Sequence, residues 1–402
     1  RELAMNILVI NSGSSSLKYK LFNMDDEKVL VSGVAERIGG ENSFIKHENH
    51  EKVVINVDLP NHKVALKEVL NLLMDPVHGA IKSLDEIDAV GHRVLHGQER
   101  FSESVLLDQE KVDTLKTFIE MGPLHMPANI GGIEACFSLM PNTPQVAAFD
   151  TAFHATIPPK AHLYALPYEI YEKYKVRRYG FHGTSHKFVS NKAARFLRKP
   201  LEELKMITLH LGNGSSIAAI KDGHCIDTSM GFTPLEGLVM GTRCGDMDPA
   251  IVPFLGKKLN MTPDEVDDLM NKKSGLKGFT GLSNDMRDIQ AAKDEGNKLA
   301  QLVYDMFIYR IVKYIGAYTA ALGGLDVMVF TAGIGENDYE ARRDICRELK
   351  FMGVAIDEKL NDGLRGKETR LTAADSKVEV LLVPTNEELS IALDTYRLVN
   401  GK

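Results

Sequence analysis

The sequence of 402 residues predicts an α/β protein made of two related domains. One hydrophobic core rarely organises more than about 300 residues, so a chain of this length is expected to form two domains. A short pattern recurs at half the chain length, and strand patterns alternate with helix patterns in both halves. Because such alternation produces sheets covered by helices, each half is expected to contain one such sheet.

The repeat consists of two small-residue turns, each placed between two apolar runs. Residues 6–22 read as strand, turn and strand, and residues 206–220 read in the same way. Aligning Gly13-Ser14-Ser15 with Gly214-Ser215-Ser216 separates the two turns by half the chain. Matching turns, matching apolar runs and this spacing together favour a gene duplication.

The other elements follow from hydrophobic periodicity and from capping residues. A helix around residues 66–73 and strands over 87–94 and 145–149 continue the first half. In the second half, apolar residues at helical spacing predict a long amphipathic helix over 298–322, followed by a strand over 325–330. Capping residues mark two further helix starts, at Thr262-Pro263-Asp264-Glu265 and at Thr385-Asn386-Glu387-Glu388.

Composition restricts the function classes. The net charge of −7 argues against a basic nucleic-acid surface. The cysteines are far apart and include no CxxC pair, so reduced thiols in the cytosol are expected rather than a zinc site or disulfides. No signal series and no membrane span are read from the sequence, so a cytoplasmic protein without a nucleic-acid or membrane partner is expected.

Three glycine-containing turns are candidates for phosphate binding: Asn11–Ser16, Gly212–Ser216 and Gly333–Asn337. Each follows an apolar strand, and glycine and serine allow backbone N–H groups to point at one anion. Any one of them is also compatible with an ordinary β-turn. Two of them occupy equivalent places in the repeat, which favours the phosphate interpretation. None matches the P-loop or the Rossmann fingerprint.

Lys18 and Asp150 each allow two interpretations. Lys18 lies two residues beyond Ser16 and shares a strand face with Lys20, so it is either solvated or a phosphate ligand. Asp150 ends the apolar run 146–149, and ligands of open α/β sheets gather at the carboxyl ends of strands. It is therefore either a contact for the acceptor or for metal-bound water, or a turn or helix cap.

Four further residues carry chemistry that suits anions or metals. His182 precedes a predicted helix start, where an N–H donor can stabilise a phosphoryl group in transfer. Arg93 and Arg243 are flanked by glycines, and guanidinium groups bind carboxylates and phosphates bidentately, although a surface role suits each alone. Glu387 begins the last predicted helix, which suits either dipole stabilisation or a magnesium site reached through water.

Taken in chain order, these strings resemble one family, the acetate and propionate kinases of the actin-like ATPase superfamily. The resemblance runs from Met5 to about residue 399. The segments that carry it are NSGSSSLKYKLF (11–22), GHRVLHG (91–97), FDTAFH (149–154), RYGFHGTSH (178–186), HLGNGSS (210–216), TPLEGLVMGTRCGDMDP (233–249), SNDMRD (283–288), TAGIGEN (331–337) and PTNEEL (384–389).

The resemblance implies a fold and a reaction. Two duplicated actin-like (ribonuclease H-like) domains are expected, with a nucleotide cleft between them. Domain I is expected to hold residues 1–152 plus 389–402, and domain II residues 153–388. The implied reaction is the reversible in-line transfer of the γ-phosphoryl group of ATP to acetate, giving acetyl phosphate and ADP. A propionate or short-chain fatty acid kinase is the alternative, and an actin-like ATPase without transferase activity is a more remote one.

The resemblance also implies ligands, partners and individual roles. The expected cofactor is Mg²⁺ or Mn²⁺, the expected assembly is a homodimer, and acetyl-CoA biosynthesis is the expected pathway. Catalysis is assigned to Asp150, His182 and Arg243, and the metal site to Asn11 and Glu387. The acceptor is expected to contact Arg93, Val94, Leu95, Leu124 and Pro234. ATP or ADP is expected to contact Lys18, His210, Leu211, Gly212, Asn213, Gly214, Asp285, Met286, Arg287, Gly333, Ile334, Gly335, Glu336 and Asn337.

One position departs from the family pattern in the acceptor pocket. Leu95 stands where valine is frequent, and a larger side chain is expected to favour acetate over propionate. One methylene discriminates by about 1–3 kcal/mol, which sets the scale of this preference.

Overall fold

A computed structural model of the protein describes residues 5–401. They form two compact units, and each contains one sheet with its own helices. Unit 1 holds the described residues up to Phe153 and those from Asn386 onward, and unit 2 holds His154–Thr385. Residues 1–4 and 402, which the sequence assigns to domain I, lie outside the described residues. The predicted α/β class is confirmed.

The strands form one sheet in each unit. The strands of unit 1 are β1 (Asn6–Ser12), β2 (Ser16–Asn23), β3 (Lys28–Glu36), β4 (Phe44–Glu48), β5 (Lys52–Asn56), β6 (Ala89–Val94), β7 (Val105–Leu106) and β8 (Gln145–Phe149). The strands of unit 2 are β9 (Met206–Leu211), β10 (Ser215–Lys221), β11 (His224–Thr228), β12 (Val327–Thr331), β13 (Thr369–Arg370) and β14 (Glu379–Leu382). The strand orders are β5-β4-β3-β2-β1-β6-β8-β7 and β11-β10-β9-β12-β14-β13.

The helices cover these sheets. The helices of unit 1 are α1 (His62–Leu73), α2 (Gln109–Lys116), α3 (Met126–Leu139) and α15 (Glu387–Val399). The helices of unit 2 are α4 (Pro159–His162), α5 (Tyr168–Tyr174), α6 (Gly183–Leu197), α7 (Ile251–Lys258), α8 (Pro263–Lys272), α9 (Gly275–Thr280), α10 (Met286–Asp294), α11 (Lys298–Leu322), α12 (Ala332–Asn337), α13 (Tyr339–Glu348) and α14 (Glu358–Asn361). Across residues 5–401, none of them combines the length and the apolar character that crossing a bilayer requires.

The two sheets share one topology. In unit 1, β1 pairs antiparallel with β2 and parallel with β6, which pairs parallel with β8. In unit 2, β9 pairs antiparallel with β10 and parallel with β12, which pairs parallel with β14. The strands β3 and β11 extend the two hairpins on equivalent sides. This common order of five strands confirms the duplication predicted from the Gly-Ser-Ser repeat.

Strand β1 is buried on both faces, which explains its uninterrupted apolar sequence. Leu8 and Ile10 pack in a core cluster with residues of α1 and α3, whereas Ile7 and Val9 pack with residues of α15. Because side chains alternate along a strand, Asn11 follows Val9 onto the α15 side of the sheet. Gly91 of β6 allows the close approach of α15, since a β-carbon there would overlap Thr395 Oγ1.

Unit 2 confirms two helix predictions and corrects a third. Helix α11 spans the predicted 298–322, and α8 begins with the predicted capping box at Thr262. The segment 333–337, expected to be a turn followed by a helix, is itself the short helix α12. Hydrogen bonds from nearby side chains to its backbone carbonyls offset its low helix propensity. The buried Arg342 donates to the carbonyl of Gly335 at 2.9 Å, and Asn337 Nδ2 donates to Gly333 O at 2.9 Å.

Candidate functional site

Four predicted residues gather at one end of the unit 1 sheet. Asn11, Arg93 and Asp150 lie at or just beyond the carboxyl ends of β1, β6 and β8, on the face that α15 covers. Glu387 is the first residue of α15. The parallel register places residues from these adjacent strands at the same edge. The sequence separations are large, but the topology brings these side chains together.

Arg93 and Asp150 form a bidentate ion pair. Arg93 Nε and Nη2 donate to the two carboxylate oxygens of Asp150 at 2.9 and 2.7 Å. The carboxylate, which is 2% exposed, raises the pKa of Arg93. Arg93 Nη1 lies 3.9 Å from Glu387 Oε2, outside hydrogen-bond distance. One edge of the guanidinium is therefore fixed by Asp150, whereas Nη1 forms only a longer ion pair with Glu387 and no hydrogen bond among the described residues.

The surroundings of Glu387 disfavour the ionised form of its carboxyl group. Burial raises its pKa, and Asp150 and Glu388 add to this effect, whereas Arg93 and Lys18 oppose it. Within residues 5–401, no group of three or more His, Cys, Asp or Glu side chains could hold a metal ion. Mg²⁺ commonly binds one or two carboxylates while keeping waters and substrate phosphates as its other ligands. The oxygen donors of Asn11 and Glu387 fit a magnesium ion of that kind.

Lys18 and the predicted acceptor residues of unit 1 have different environments. Lys18 is exposed, pairs with Asn11 across β1 and β2, and lines a groove of about 450 Å³ with it. Val94 is fully buried in a core cluster, and Leu95 is half-buried against that cluster. Leu124 is 63% exposed. The acceptor role of these three apolar residues stays a prediction, and Leu95 and Leu124 are the two with accessible surface.

In unit 2, His182 precedes a helix and has a left-handed backbone conformation, which is uncommon for residues other than glycine. It is the N-cap of α6 with φ of +57°, in the left-handed region. Its Nδ1 lies 2.8 Å from Ser216 Oγ, and its ring stacks on His210 with centroids 4.0 Å apart. His210 Nδ1 in turn hydrogen-bonds with Ser185 Oγ at 2.7 Å. The His182 ring is thus held from two sides.

Arg243 is a half-buried cation without an acidic partner among the described residues. Its Nη1 donates to the carbonyl of Pro234 at 3.1 Å, and burial lowers its pKa. A β-carbon on Gly214 would lie 3.4 Å from both Arg243 Nη1 and His182 Nε2. Two side-chain nitrogens therefore lie beside the glycine turn of the repeat. A desolvated and unpaired guanidinium is an environment that favours an anionic ligand.

A cavity of about 870 Å³ in unit 2 brings together most of the residues predicted to bind the nucleotide. Those that line it are Gly212, Asn213, Asp285, Met286, Arg287, Gly333, Ile334 and Asn337. Asp285 caps α10 and pairs with Arg287 at 2.6 Å, which holds the arginine at the rim. The space is large enough for a nucleoside, and such sites are typically 300–1,000 Å³.

The other nucleotide predictions of unit 2 fall outside the cavity lining. Gly214 lies beside His182 and Arg243, and Leu211 is buried in the core. His210 stacks on His182, and Gly335 is buried within α12. The Glu336 carboxylate accepts a hydrogen bond from Thr385 N, also in unit 2, at 3.2 Å. This hydrogen bond connects α12 to the end of unit 2 in the sequence.

Sequence reasoning missed several residues of the cavity wall. They are Asn284, Gln290, Ala291, Asp294, Asp338, Tyr339, Glu340 and Arg365. Asn284 Nδ2 donates to Asn213 Oδ1 at 3.0 Å and thereby orients the Asn213 amide. Asn284 lies within the string 283–288 that carried part of the resemblance, so its sequence neighbours were the signal that could have identified it.

Comparisons with known proteins cover nearly the whole chain. A sequence profile of the Acetokinase family matches residues 6–393. The acetate kinase of Halothermothrix orenii is 56% identical over 399 residues, which cover 99% of this chain and 100% of that protein. The acetate kinase of Treponema denticola is 59% identical over 397 residues, covering 98% and 100%.

Solved structures give the same result. The crystal structure of Porphyromonas gingivalis acetate kinase matches with a TM-score of 0.96 and 48% identity, covering 98% of this chain and 100% of that chain. A propionate kinase from Francisella tularensis matches with a TM-score of 0.91 and 41% identity, covering 98% and 99%.

Proposed function

Because the chain belongs to the Acetokinase family, we propose that the residues around Arg93 and those around Arg243 perform the acetate kinase reaction. Curated relatives at 54–59% identity over nearly the full chain are acetate kinases. The activity is the transfer of a phosphoryl group between ATP and the carboxylate of acetate. The observation that carries the assignment of residues is the convergence of Arg243 Nη1 and His182 Nε2 on Gly214.

In our proposal Arg93 binds the carboxylate of acetate. Asp150 holds the Nε and Nη2 edge, so the guanidinium keeps one orientation and offers Nη1 to the acceptor. Asp150 would then act through Arg93, by positioning it. Leu95 and Leu124, the accessible apolar residues of unit 1, would contact the methyl group of acetate.

Arg243, His182 and Asn213 are proposed to stabilise the negative charge of the phosphoryl group during transfer. Phosphoryl transfer spreads negative charge over three equatorial oxygens and needs little covalent chemistry from the protein. Fixed donors that need no rearrangement stabilise that charge best. An acetate oxygen would attack the γ-phosphorus in line, and ADP would leave with the electron pair of the broken bond. Arg93 would hold the attacking oxygen in place.

The cavity of unit 2 is proposed to bind the adenosine part of the nucleotide. Met286 and Ile334 offer apolar surface, and Asn213, Asp285 and Asn337 offer polar groups. Lys18, which lies on β2 just beyond the turn that follows β1, is proposed to bind a nucleotide phosphate. Asn11 and Glu387 would hold Mg²⁺ or Mn²⁺, which would supply positive charge to the nucleotide phosphates. We expect Glu387→Gln to raise the Mg²⁺ concentration needed for half-maximal activity.

A cytoplasmic homodimer that supplies acetyl phosphate to acetyl-CoA biosynthesis is the proposed setting. Free cysteines, of which Cys136, Cys225 and Cys346 are buried, suit a reducing compartment. Helix α11 buries most of its aromatic residues in unit 2, but Leu299, Leu302 and Tyr309 stay exposed and would suit a subunit interface. Light scattering that finds only monomer at working concentrations would exclude the dimer.

Trapping acyl phosphate as hydroxamate tests the function directly. Purified protein with ATP and Mg²⁺ should form acetyl hydroxamate, with kcat/KM highest for acetate among acetate, propionate and butyrate. A preference for propionate would make the chain a propionate kinase. ATP hydrolysis that does not depend on any carboxylate would indicate a non-transferase ATPase and overturn the proposal.

A further inference from the structure

A chain of hydrogen bonds runs from the interior of unit 2 to His182. Thr208 Oγ1 lies 2.7 Å from His186 Nδ1, and His186 Nε2 lies 2.8 Å from Ser216 Oγ. The same Ser216 oxygen lies 2.8 Å from His182 Nδ1. Thr208, His186 and Ser216 have no exposed surface. Every donor in the buried part of this chain must therefore find its acceptor within the protein.

The positions of the protons follow from counting donors and acceptors. The Thr208 hydroxyl has one hydrogen, and His186 Nδ1 is the acceptor that it reaches among the described residues. If Nδ1 accepts, the hydrogen of a neutral His186 is on Nε2 and is donated to Ser216 Oγ. The Ser216 hydroxyl then donates to His182 Nδ1. A neutral His182 consequently carries its own hydrogen on Nε2.

The reverse arrangement leaves a buried donor without an acceptor. If His182 carried a hydrogen on Nδ1, it would donate to Ser216, and Ser216 would donate to His186 Nε2. His186 would then donate from Nδ1 to Thr208, whose own hydroxyl hydrogen would have no acceptor among the described residues. A doubly protonated His182 requires the same reversal. Buried hydroxyl groups without partners are disfavoured, so the first arrangement is preferred.

His186 is suited to this function because it stays neutral. Burial lowers its pKa well below the ordinary value, and His154 and His210 lower it further. Their ring centroids lie 5.7 and 6.0 Å from that of His186. A neutral imidazole has one hydrogen, so the tautomer of His186 dictates that of His182.

We propose that Thr208, His186 and Ser216 are positioning residues that keep the ring hydrogen of His182 on Nε2, beside Gly214 and Arg243. This role rests on the proposed function, in which His182 donates to the transferred phosphoryl group. With Nε2 protonated, His182 presents a donor. With the hydrogen on Nδ1, it would present a lone pair that repels the phosphoryl oxygens. The relay thus prepares the donor before substrate binds.

Nuclear magnetic resonance can read the tautomer in the protein without substrates. Long-range ¹H–¹⁵N correlation spectra of ¹⁵N-histidine-labelled protein separate protonated from unprotonated ring nitrogens, and the spectrum of His182→Gln identifies the His182 signals. We expect Nε2 of His182 to be protonated and Nδ1 to be unprotonated. A hydrogen on Nδ1 in the wild-type protein overturns the proposal, whatever the variants do. The hydroxamate assay tests the proposed function separately.

Thr208→Val then tests the origin of the preference. It removes the first donor and keeps the shape, so a fraction of His182 should shift to the Nδ1-protonated form. Turnover should fall about tenfold with an unchanged KM for ATP, the size typical of losing an outer partner of a functional histidine. Thr208→Ser should restore both readouts. An unchanged tautomer and an unchanged kcat in Thr208→Val would contradict the relay.

Thr228→Val is the matched control. Thr228 is also fully buried in the unit 2 sheet, and its hydroxyl donates to Ile217 O at 2.9 Å rather than to a member of the relay. It should leave the His182 tautomer and kcat unchanged. If Thr228→Val shifts the tautomer as Thr208→Val does, the effect belongs to the packing of the sheet and the proposal fails.

Discussion

The two units share one sheet topology but treat their key arginines in opposite ways. Arg93 of unit 1 is fixed by two hydrogen bonds to the buried carboxylate of Asp150, which raises its pKa. Arg243 of unit 2 has no acidic partner among the described residues, and burial lowers its pKa. In unit 1 of this duplicated fold, the charge of Arg93 is balanced by Asp150. In unit 2, the charge of Arg243 is not balanced by an acidic side chain among the described residues.

This difference suggests a division of labour between the units. An arginine that is already paired is well oriented, and an additional anion gains a modest interaction with it. An unpaired, desolvated arginine gains much more when negative charge develops nearby. We therefore expect changes in unit 1 to affect acceptor binding and stability, and changes around Arg243 to affect the rate of transfer.

The largest expected effect is that of Arg243→Ala. Turnover should fall by about 10³-fold, the scale found when one fixed donor to a transition state is removed. The equilibrium affinity for ATP should change little, because the cavity that we propose for adenosine does not include Arg243. Hydroxamate kinetics measure the first effect and calorimetric titration with ATP measures the second.

Arg195→Ala is the control for this change, because Arg195 is an exposed arginine of α6 in the same unit. It should keep normal turnover. Near-normal turnover in Arg243→Ala, or a loss of ATP affinity as large as the loss of turnover, would remove the contrast between the two arginines.

The second effect is on stability and should separate the arginines most clearly. Arg93→Ala leaves the buried Asp150 carboxylate without its partner, so the free energy of unfolding should fall by about 3 kcal/mol. Arg243→Ala leaves no acid unpaired and should not show this loss. Urea denaturation followed by circular dichroism measures both variants.

The double variant Arg93→Ala with Asp150→Asn completes this test. With both charges removed, the free energy of unfolding should recover part of what Arg93→Ala loses. Equal losses in Arg93→Ala and Arg243→Ala would show that pairing does not distinguish the two arginines. A double variant that is no more stable than Arg93→Ala would exclude the unpaired carboxylate as the cause.

The sequence predicted the fold well because its signals are local. The glycine-serine turns, the helix 298–322 and the capping box at Thr262 each depend on neighbouring residues, and the structure confirms them. Helix α12 was missed because the glycine-rich segment has low helix propensity of its own, and the hydrogen bond that it receives from Arg342 of the next helix has no sequence pattern.

The contacts within the site were harder to predict from the sequence, because they join residues that are far apart along the chain. The sequence named Arg93 and Asp150 separately, but their ion pair joins residues 57 positions apart. The contact of His182 with Ser216 spans 34 positions. Asn284 was overlooked because an asparagine in a loop has no distinctive pattern. Local strings identified candidate residues, and only the sheet topology shows which of them meet.

A smaller effect concerns the acceptor side of unit 1. Leu95→Val shortens a half-buried side chain, so the ratio of kcat/KM for propionate to that for acetate should rise about fivefold, the discrimination typical of one methylene. The KM for ATP should not change. Leu107→Val is the matched control, since Leu107 packs against the same core cluster. An equal shift in both variants would place the effect in the core rather than at the acceptor.

The smallest expected effect is at Glu387, whose ionised form lowers the free energy of unfolding relative to its protonated form. Because burial raises the pKa of this carboxyl above 4.5, the folded protein binds its proton more tightly than the unfolded chain does. Its stabilising contribution is complete below pH 4.5 and is lost as pH rises through the raised pKa. Glu387→Gln should therefore gain stability relative to the wild type over that interval, by about 1 kcal/mol per unit of pKa shift.

Thermal unfolding of Glu387→Gln and the wild type from pH 4 to pH 8 measures this difference, and the comparison between them cancels the other titrating groups. Glu110→Gln controls for the loss of a carboxylate from a first helical turn, because Glu110 is exposed in the first turn of α2 and does not contribute to the pKa of Glu387. A constant difference between wild type and Glu387→Gln across this range would mean that Glu387 is not strained. Glu387 would then carry no stability cost that a bound cation could relieve.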